Sequence, residues 1–519
     1  MITFAFARLA KSFLPGSVIL CFVCLLSSCE KKDDLDLAAI RASVFKIQVQ
    51  SAAPRYDQPW LSESPSSSSG TGFYIGDGRI LTNAHVVSHA KYITVQRDGR
   101  PDVVLARVEY IAHDADLAIL NVQTADYLDG VRALQFGGIP VLRKPVSTVG
   151  YPMGGEQISV TDGIVSRISF RTYAHHGVDG HLLVQVDSAI NPGNSGGPVF
   201  QGGEVVGVAF QAFTRAENTG YIIPVPVVER FLKDVQDGRY DGHPRDGLLE
   251  MSHALENPAA RRYYGLTDDE GGIKISLVAH HSPLKDAIQA DDILLRIAGY
   301  DIGVDGKISI FGERLDYRIL IDLAIAGDDL DFDLIRNGKR QTIRAKVAAN
   351  AVIDPINNRY QLYPRFLIYG GMIFTSLSRD YVRTWGQSWY YKTPLHLRHL
   401  LFHQLIDEDF KKREETIVLL DRLPDPVNQS AQRFTEQVVD KVNGEELRSL
   451  NHLAEIFDQQ SDNEDKNIVF KFLYNHAPLV LHHRALAERH EPILKLYRVG
   501  LERWLENGVD GATARWEGH

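Results

Sequence analysis

The stretch NPGNSGGP, residues 191–198, surrounds Ser195 with glycine and proline residues. Proline fixes φ at about −65° and glycine accepts positive φ, so the stretch predicts a tight, irregular loop and not a helix or a regular strand. A nucleophilic hydroxyl needs such a loop, because it must stand clear of the backbone while nearby N–H groups converge on one point. A glycine-rich hairpin turn that contains a serine is the alternative for this stretch alone.

Two stretches upstream contain the other groups that a reactive serine requires. Residues 79–87, RILTNAHVV, follow a Gly-Asp-Gly turn signal and predict a strand that ends near His85. Residues 113–120, HDADLAIL, predict a polar turn that runs into an apolar strand, with Asp114 and Asp116 near its start. A serine hydroxyl is a weak nucleophile at neutral pH and needs a base, and the base needs a carboxylate that fixes its tautomer. The sequence therefore contains candidates for all three groups in the order His, Asp, Ser.

The three motifs TNAHVV, DLAIL and GNSGGP together resemble the signatures of the Deg/HtrA family of trypsin-like serine proteases. The resemblance implies His85 as the general base, Asp116 as the carboxylate that orients it and Ser195 as the nucleophile. It also implies an oxyanion hole formed by the backbone N–H groups of Gly193, Asn194 and Ser195.

Asp114 is the rival of Asp116 for the orienting carboxylate, and the family pattern, which places the acid directly before Leu-Ala, favours Asp116. His89 and His113 have loop character and are expected to be solvated or structural. A degenerate, inactive protease domain is the other interpretation, although no triad position is substituted.

Residues 207–211 and 220–224 resemble the strands that form the substrate pocket in this family, which makes Val208, Phe210 and Gln211 candidate pocket residues. Phe210 is equally an ordinary core residue. No aspartate stands where a basic substrate side chain would need a partner, so we expect cleavage after small or medium apolar residues. The chemistry requires no cofactor, and no metal site is expected.

Length and composition set the broad class. The chain has 519 residues, of which 44% are hydrophobic and 24% charged, and its formal net charge is −10. These values predict a globular protein of about three domains, and the lack of a long basic block makes nucleic acid a poor partner. Neighbouring histidines point in different directions, so three adjacent pairs are expected at the surface and not as metal ligands. These pairs are His175-His176, His280-His281 and His482-His483.

Residues 1–29 resemble a bacterial lipoprotein signal, with Arg8 and Lys11 before an apolar run and the lipobox-like LSSC at its end. The resemblance implies cleavage before Cys29 and lipidation of its thiol. All three cysteines lie within these 29 residues, so the remaining chain can form no disulfide framework. An uncleaved anchor or an ordinary cleaved signal are the alternatives, and both still place the protein outside the cytoplasm.

Short strands separated by turns fill residues 70 to about 235, which is typical of an all-β barrel or sandwich. The preceding residues 51–69 contain several prolines and a run of serines, and predict a loop. The family implies two six-stranded barrels with the triad at their junction. The expected fold is therefore mainly β and multidomain, a trypsin-like double β-barrel followed by two PDZ-like α+β domains.

Residues 241–350 are similar to a PDZ domain, whose strand edge can bind a peptide by β-augmentation. The candidate carboxylate-binding loop is Gly247-Leu248-Leu249, which departs from the usual Leu-Gly-aliphatic order, so a structural or oligomer-bracing role is as strong an expectation. Residues 351–480 resemble a divergent second PDZ-like module, with residues 369–375 as its first strand. The predicted boundaries are a signal at 1–29, a tether at 30–39, the protease domain at 40–240, PDZ modules at 241–350 and 351–480, and a helical extension at 481–519.

The arrangement of one protease domain and two PDZ-like modules is closest to the plant-type Deg proteases. The leader, by contrast, predicts a lipid-anchored location on the periplasmic side of a bacterial envelope. A secreted or soluble periplasmic protein is the alternative. The three motifs predict a serine endopeptidase that acts through an acyl-enzyme, and the resemblance implies unfolded or damaged proteins as substrates and a homotrimer or larger assembly. The PDZ-like modules are expected to bind peptide C-termini or sister subunits. The alternatives are a PDZ-based chaperone or scaffold with an idle protease domain, or a protease activated by one specific peptide.

Overall fold

The computed structural model describes residues 37–124, 126–152, 155–212, 220–245, 252–280, 282–349, 355–356, 360, 362–404, 406–407, 410–459 and 466–506. The predicted signal, Cys29, most of the tether and the loop Gly247-Leu248-Leu249 lie outside the described residues. Within the part of the chain that is described, no helix combines the length and the apolar character needed to cross a bilayer.

A first barrel of six antiparallel strands follows the short helix α1 (Leu37–Ser43). Its strands are β1 (Val44–Ser51), β2 (Ser66–Gly76), β3 (Arg79–Thr82), β4 (Ala90–Arg97), β5 (Val103–Ala112) and β6 (Leu117–Val122), with helix α2 (Ala84–Val87) between β3 and β4. The barrel closes in the order β1-β2-β3-β6-β5-β4. Phe45, Ile47 and Val49 alternate along β1 into its core, as the two-residue period of a strand requires.

A second closed barrel has the order β10-β11-β12-β9-β8-β7. Its strands are β7 (Pro145–Gly150), β8 (Ser159–Thr172), β9 (Gly180–Val186), β10 (Pro198–Gln201), β11 (Glu204–Ala212) and β12 (Gly220–Pro224). Helix α3 (Val225–Asp234) follows β12 and buries Val227, Val228 and Phe231 completely. The predicted double β-barrel is confirmed.

A middle module follows, defined here as residues 252–349. It contains β13 (Ser252–Ala254), α4 (Pro258–Tyr263), β14 (Ile273–Ile275), β15 (Ile293–Ile297), β16 (Tyr300–Asp301), β17 (Lys307–Ile310), β18 (Glu313–Asp316), α5 (Ile319–Asp322), β19 (Asp329–Arg336) and β20 (Lys339–Lys346). The main sheet runs β13-β14-β15-β19-β20, so β13 is an edge strand. One continuous buried core extends from both barrels into this sheet, which fixes the middle module against the second barrel.

A C-terminal module, defined here as residues 362–506, contains one eight-stranded antiparallel sheet. Its strands are β21 (Phe366–Tyr369), β22 (Met372–Ser376), β23 (Ile417–Arg422), β24 (Gln437–Val442), β25 (Glu445–Glu446), β26 (Asn467–Phe472), β27 (Asn475–His482) and β28 (Arg503–Trp504). Its helices are α6 (Arg379–Arg383), α7 (Trp389–Lys392), α8 (Leu395–His403), α9 (Leu450–Gln459) and α10 (His483–Leu496). The sheet order is β27-β26-β24-β23-β22-β21-β28, with β25 on β24.

Three details differ from the sequence-based expectations. The serine run predicted as loop forms the start of β2, where Ser66 to Ser69 pair with β1, because polar side chains on an exposed strand do not prevent backbone pairing. Residues 369–375 are a hairpin and not one strand, since Gly370 and Gly371 form the turn with φ of 54° and 80°. The sheet also extends past residue 480, because β28 pairs with β21 through Trp504 and Phe366.

We expect the C-terminal module to lose its fold if the chain ends after residue 480. That truncation removes β28 and α10, whose Leu486 and Ile493 are completely buried in the two cores of the module. Limited proteolysis and thermal unfolding should show rapid digestion of residues 362–480. The matched control ends after residue 506 and should resist digestion, and equal resistance of both chains would contradict the prediction.

Candidate active site

The structure brings His85 and Asp116 into direct contact. His85 Nδ1 lies 2.6 Å from Asp116 Oδ2, and the His85 backbone N–H donates to Asp116 Oδ1 at 2.7 Å. The carboxylate is completely buried, whereas 33% of the His85 side chain is exposed. Two bonds to one carboxylate fix both the position and the tautomer of the imidazole, so Nε2 is the nitrogen left for a reacting group.

Asp116 itself has an unusual backbone, with φ of 52°. This left-handed conformation is uncommon for residues other than glycine and must be held by its surroundings. The buried side chain of Asn83 holds it, since Nδ2 donates to the Asp116 carbonyl at 2.9 Å. Asn83 belongs to the TNAHVV motif, but the sequence alone did not indicate what it does. Its hydrogen bond to the Asp116 carbonyl shows that it supports the Asp116 backbone.

Asp114 points elsewhere. Its Oδ1 accepts from the Tyr240 hydroxyl at 2.7 Å and its Oδ2 from the His243 backbone N–H at 3.0 Å. Asp114 therefore fastens the segment after α3, and Asp116 alone of the two carboxylates contacts His85.

The electrostatics of the pair favour a histidine that gains a proton readily. Burial of the imidazole lowers its pKa, but the charge and the hydrogen bond of Asp116 outweigh burial, and the pKa of His85 lies above its ordinary value of 6.5. The same carboxylate stabilises the imidazolium that a base becomes when it takes a proton from a nucleophile.

Ser195 directly follows a tight turn at residues 191–194. The sequence predicted a tight loop here but not the type of turn. The Asn194 N–H donates to the Asn191 carbonyl at 3.0 Å, and Gly193 has φ of 100°, the pattern of a type II turn with proline and then glycine at its centre. The Ser195 hydroxyl donates to the Phe210 carbonyl at 3.1 Å. In this structure the nucleophile candidate is thus turned toward β11 and not hydrogen-bonded to His85.

Two of the three predicted oxyanion donors are available in this loop. Neither the Gly193 N–H nor the Ser195 N–H donates to any acceptor within the described residues. The Asn194 N–H, by contrast, is used inside the turn. Two of the three predicted donors therefore remain without an acceptor in the described residues, because the third closes the turn.

Thr71 in β2 connects the first barrel to the serine loop, and sequence reasoning missed it. Its hydroxyl donates to the Gly193 carbonyl at 2.7 Å and accepts from the Tyr151 N–H at 2.9 Å, while its own N–H donates to the Ser195 carbonyl at 2.9 Å. Gly196 lies against the same strand, and a Cβ there would stand 2.1 Å from the Thr71 carbonyl oxygen. The loop therefore follows β2 so closely that only glycine fits at 196.

The candidate pocket residues lie on β11. Val208 is completely buried and belongs to the barrel core, so its side chain does not face a substrate. The Phe210 ring is also buried, with Tyr173 at 4.8 Å and the His85 ring at 6.3 Å between ring centroids. The backbone of Gln211 pairs with Tyr221. Among these, Phe210 lies next to the candidate triad, with its ring beside His85 and its carbonyl bonded to the Ser195 hydroxyl.

A row of aromatic and imidazole rings lies beside His85 and was not expected. His175 is 6.0 Å from His85 between centroids, and His113 Nδ1 lies 3.0 Å from His175 Nε2. Tyr360 stacks on both histidines at 4.3 Å. Burial lowers the pKa of His175 to about 4, so this ring is neutral at neutral pH. The expectation that His175 and His176 lie at the surface is wrong, because the segment 173–179 folds against the C-terminal module through Arg379.

Replacing Thr71 by valine should disorganise the serine loop, because the Gly193 carbonyl and the Tyr151 N–H would lose a buried partner, at about 1 to 3 kcal/mol for each group. We expect slower labelling of Ser195 by a fluorophosphonate and a lower melting temperature. Thr71→Ser keeps the hydroxyl and is the matched control. Wild-type labelling in Thr71→Val would show that the hydroxyl does not position the loop.

Comparisons with known proteins agree with this geometry. Residues 70–208 match the family described as trypsin-like peptidase domain, and residues 355–503 match the family described as PDZ domain. The chain is 35% identical over 477 residues to Protease Do-like 2, chloroplastic, of Arabidopsis thaliana, an alignment that covers 90% of this chain and 75% of the relative. It is 33% identical over 463 residues to Protease Do-like 4, mitochondrial, of the same plant, covering 88% and 84%.

Among solved structures, one described as the HtrA-type protease AlgW with decapeptide is 21% identical, covers 60% of this chain and 97% of its own, and has a TM-score of 0.45. The two plant relatives, each more than 30% identical over most of both chains, are sufficient to assign the family. The resemblance predicted from the three motifs is confirmed: this chain belongs to the Deg/HtrA family of trypsin-like serine proteases.

Proposed function

We propose that His85, Asp116 and Ser195 are the residues through which this serine endopeptidase hydrolyses peptide bonds. The observation that carries the assignment is the double contact of Asp116 with the ring and the backbone of His85. This double contact leaves His85 Nε2 free to accept a proton. The hydroxyl in the neighbouring loop that could supply this proton is that of Ser195.

The first step requires a rotation of the Ser195 side chain from the Phe210 carbonyl toward His85. His85 then takes the hydroxyl proton as Ser195 attacks the substrate carbonyl carbon, and the Gly193 and Ser195 N–H groups receive the oxyanion. His85 next protonates the leaving amine. A water molecule repeats the sequence on the acyl-enzyme and restores the serine.

The proposed substrates are unfolded or damaged proteins, in a quality-control role that is consistent with the family. An extended chain can reach the serine loop, whereas a folded one rarely presents its backbone. The buried Phe210 beside Ser195 supports a P1 pocket for small or medium apolar side chains. The PDZ domain at residues 355–503 supports binding of peptide segments.

The finer organisation is proposed as follows. The protease domain spans residues 40–240, the middle module is a first PDZ domain, and its edge strand β13 is the place where a peptide can add a strand. Assembly as a homotrimer or larger oligomer is proposed from the family. A bacterial envelope location with lipidation at Cys29 is proposed from the leader, although the two plant relatives are named as chloroplastic and mitochondrial.

A protein-binding scaffold with an idle protease domain is the rival function. The observation that favours it is the Ser195 hydroxyl, which is bonded to Phe210 and not to His85. This arrangement also fits an enzyme whose serine turns only when substrate enters.

Ser195→Ala should abolish degradation of unfolded casein, because it removes the proposed nucleophile, and should abolish fluorophosphonate labelling with it. The matched control is Ser68→Ala at an exposed position of β2. Proteolysis that survives in Ser195→Ala would refute the assignment. Labelling of the wild type without casein degradation would favour an enzyme that waits for an activator.

The rate constant kcat/KM should fall on acidification with a midpoint above pH 6.5. The catalytic form has neutral His85, and the Asp116 carboxylate raises the pKa of this histidine, so activity is present above that pKa and is lost as the pH falls through it. Hydrolysis of a peptide substrate between pH 5 and 9 measures the midpoint, with circular dichroism to exclude unfolding. A midpoint below 6.5 would contradict the raised pKa.

A further inference from the structure

Three buried side chains from different parts of the chain meet at the junction between the second barrel and the middle module. They are His181 in β9, His243 in the segment after α3, and Asp322 at the end of α5. Their exposed fractions are 0%, 4% and 5%. His181 Nδ1 and His243 Nδ1 each lie 2.7 Å from Asp322 Oδ1, and one potential ligand atom from each residue lies within 4.8 Å of the other two.

Each of these side chains also has a polar atom without a partner. His181 Nε2, His243 Nε2 and Asp322 Oδ2 are buried and make no hydrogen bond within the described residues. A buried polar atom without a partner costs about 1 to 3 kcal/mol, and the Asp322 Oδ2 atom has lone pairs that a cation can accept. Each neutral imidazole also has one nitrogen with a lone pair, which can bind a cation while the other nitrogen keeps its proton.

The charged side chains around the cluster also favour a bound cation. Four carboxylates and two guanidinium groups lie in or next to it: Asp114, Asp179, Asp234 and Asp322, with Arg230 and Arg245. Arg245 pairs with Asp179 at 2.7 Å. Arg230 pairs with Asp234 at 3.1 Å. Neither Asp114 nor Asp322 forms an ion pair with an arginine or a lysine in the described part of the chain, and Arg230 acts on both carboxylates only at longer range.

We propose that His181, His243 and Asp322 bind one divalent metal ion of the zinc type. Two imidazole nitrogens and one carboxylate oxygen are a donor set that zinc favours, whereas calcium and magnesium prefer oxygen ligands throughout. A water molecule completes a tetrahedral shell. The ion supplies positive charge beside Asp114 and Asp322, and each imidazole binds it in the neutral form with its proton on the nitrogen that is not a ligand.

Small movements are sufficient to admit the ion. Donor atoms about 2.1 Å from a tetrahedral ion stand about 3.4 Å apart, so the two contacts of 2.7 Å must open by about 0.7 Å.

The metal would join two folded units of the protease. His181 belongs to the second barrel and Asp322 to the middle module, so one ion would cross-link them. The His181 ring also packs on Tyr173 at 4.7 Å, and Tyr173 packs on Phe210, whose carbonyl receives the Ser195 hydroxyl. Metal binding should therefore stabilise the junction directly behind the pocket wall.

The test uses the full chain, as the inactive Ser195→Ala form to prevent self-digestion, freed of metal with a chelator. Calorimetric titration with zinc should give one ion for each chain and a higher melting temperature. Asp322→Asn and His243→Asn each remove one of three ligands, and we expect the zinc affinity to fall by at least about 100-fold. His253→Gln, at an exposed position of β13, is the matched control and should bind as the parent does.

X-ray absorption of the zinc-loaded parent protein keeps the proposal testable if the variants fail to fold. The first shell should contain two imidazole nitrogens and additional oxygen ligands. Failure of the parent to bind zinc overturns the proposal. A first shell without two imidazoles, or unchanged affinity in folded Asp322→Asn, overturns it as well.

Discussion

The hydroxyl of Thr71 is the contact on which the arrangement of the active site depends. It donates to the Gly193 carbonyl and accepts from the Tyr151 N–H, so one buried side chain of the first barrel holds two loops of the second. The serine loop follows β2 closely, and the Thr71 N–H also donates to the Ser195 carbonyl. Its shape is therefore imposed from β2, and the position of Ser195 relative to His85 is a consequence of how the two barrels meet.

The second constraint is the carboxylate of Asp116, which is buried and forms a hydrogen bond through each of its two oxygens. It binds the ring and the backbone of His85, and Asn83 in turn holds its strained backbone. A buried charge is tolerated when it is paired and hydrogen-bonded, and here the partner is His85, which becomes charged if it acts as the proposed general base. The hydrogen bonds among Asn83, His85 and Asp116 therefore both stabilise this part of the structure and support its proposed chemistry.

The junction between the second barrel and the middle module buries both apolar and polar side chains. A continuous apolar core crosses it, yet the polar cluster of His181, His243 and Asp322 lies within that core. Burial of three polar groups with incomplete hydrogen bonding weakens a junction that apolar side chains alone would close. This imbalance is what a bound ion would correct, and it lies one aromatic ring behind the wall of the candidate pocket.

The sequence by itself determined the family, the double barrel and the identities of His85, Asp116 and Ser195 as candidates, because these depend on short motifs and on the two-residue period of strands. Tertiary structure decided the rest. Thr71, His175, Tyr360 and the His181 cluster owe their roles to contacts between residues far apart in the chain, and no local pattern encodes such contacts. Closing the turn before Ser195 likewise used the Asn194 N–H, which left two of the three N–H groups that the motif implied as oxyanion donors without an acceptor in the described residues. A motif specifies which groups are present, whereas packing specifies which of them remain free.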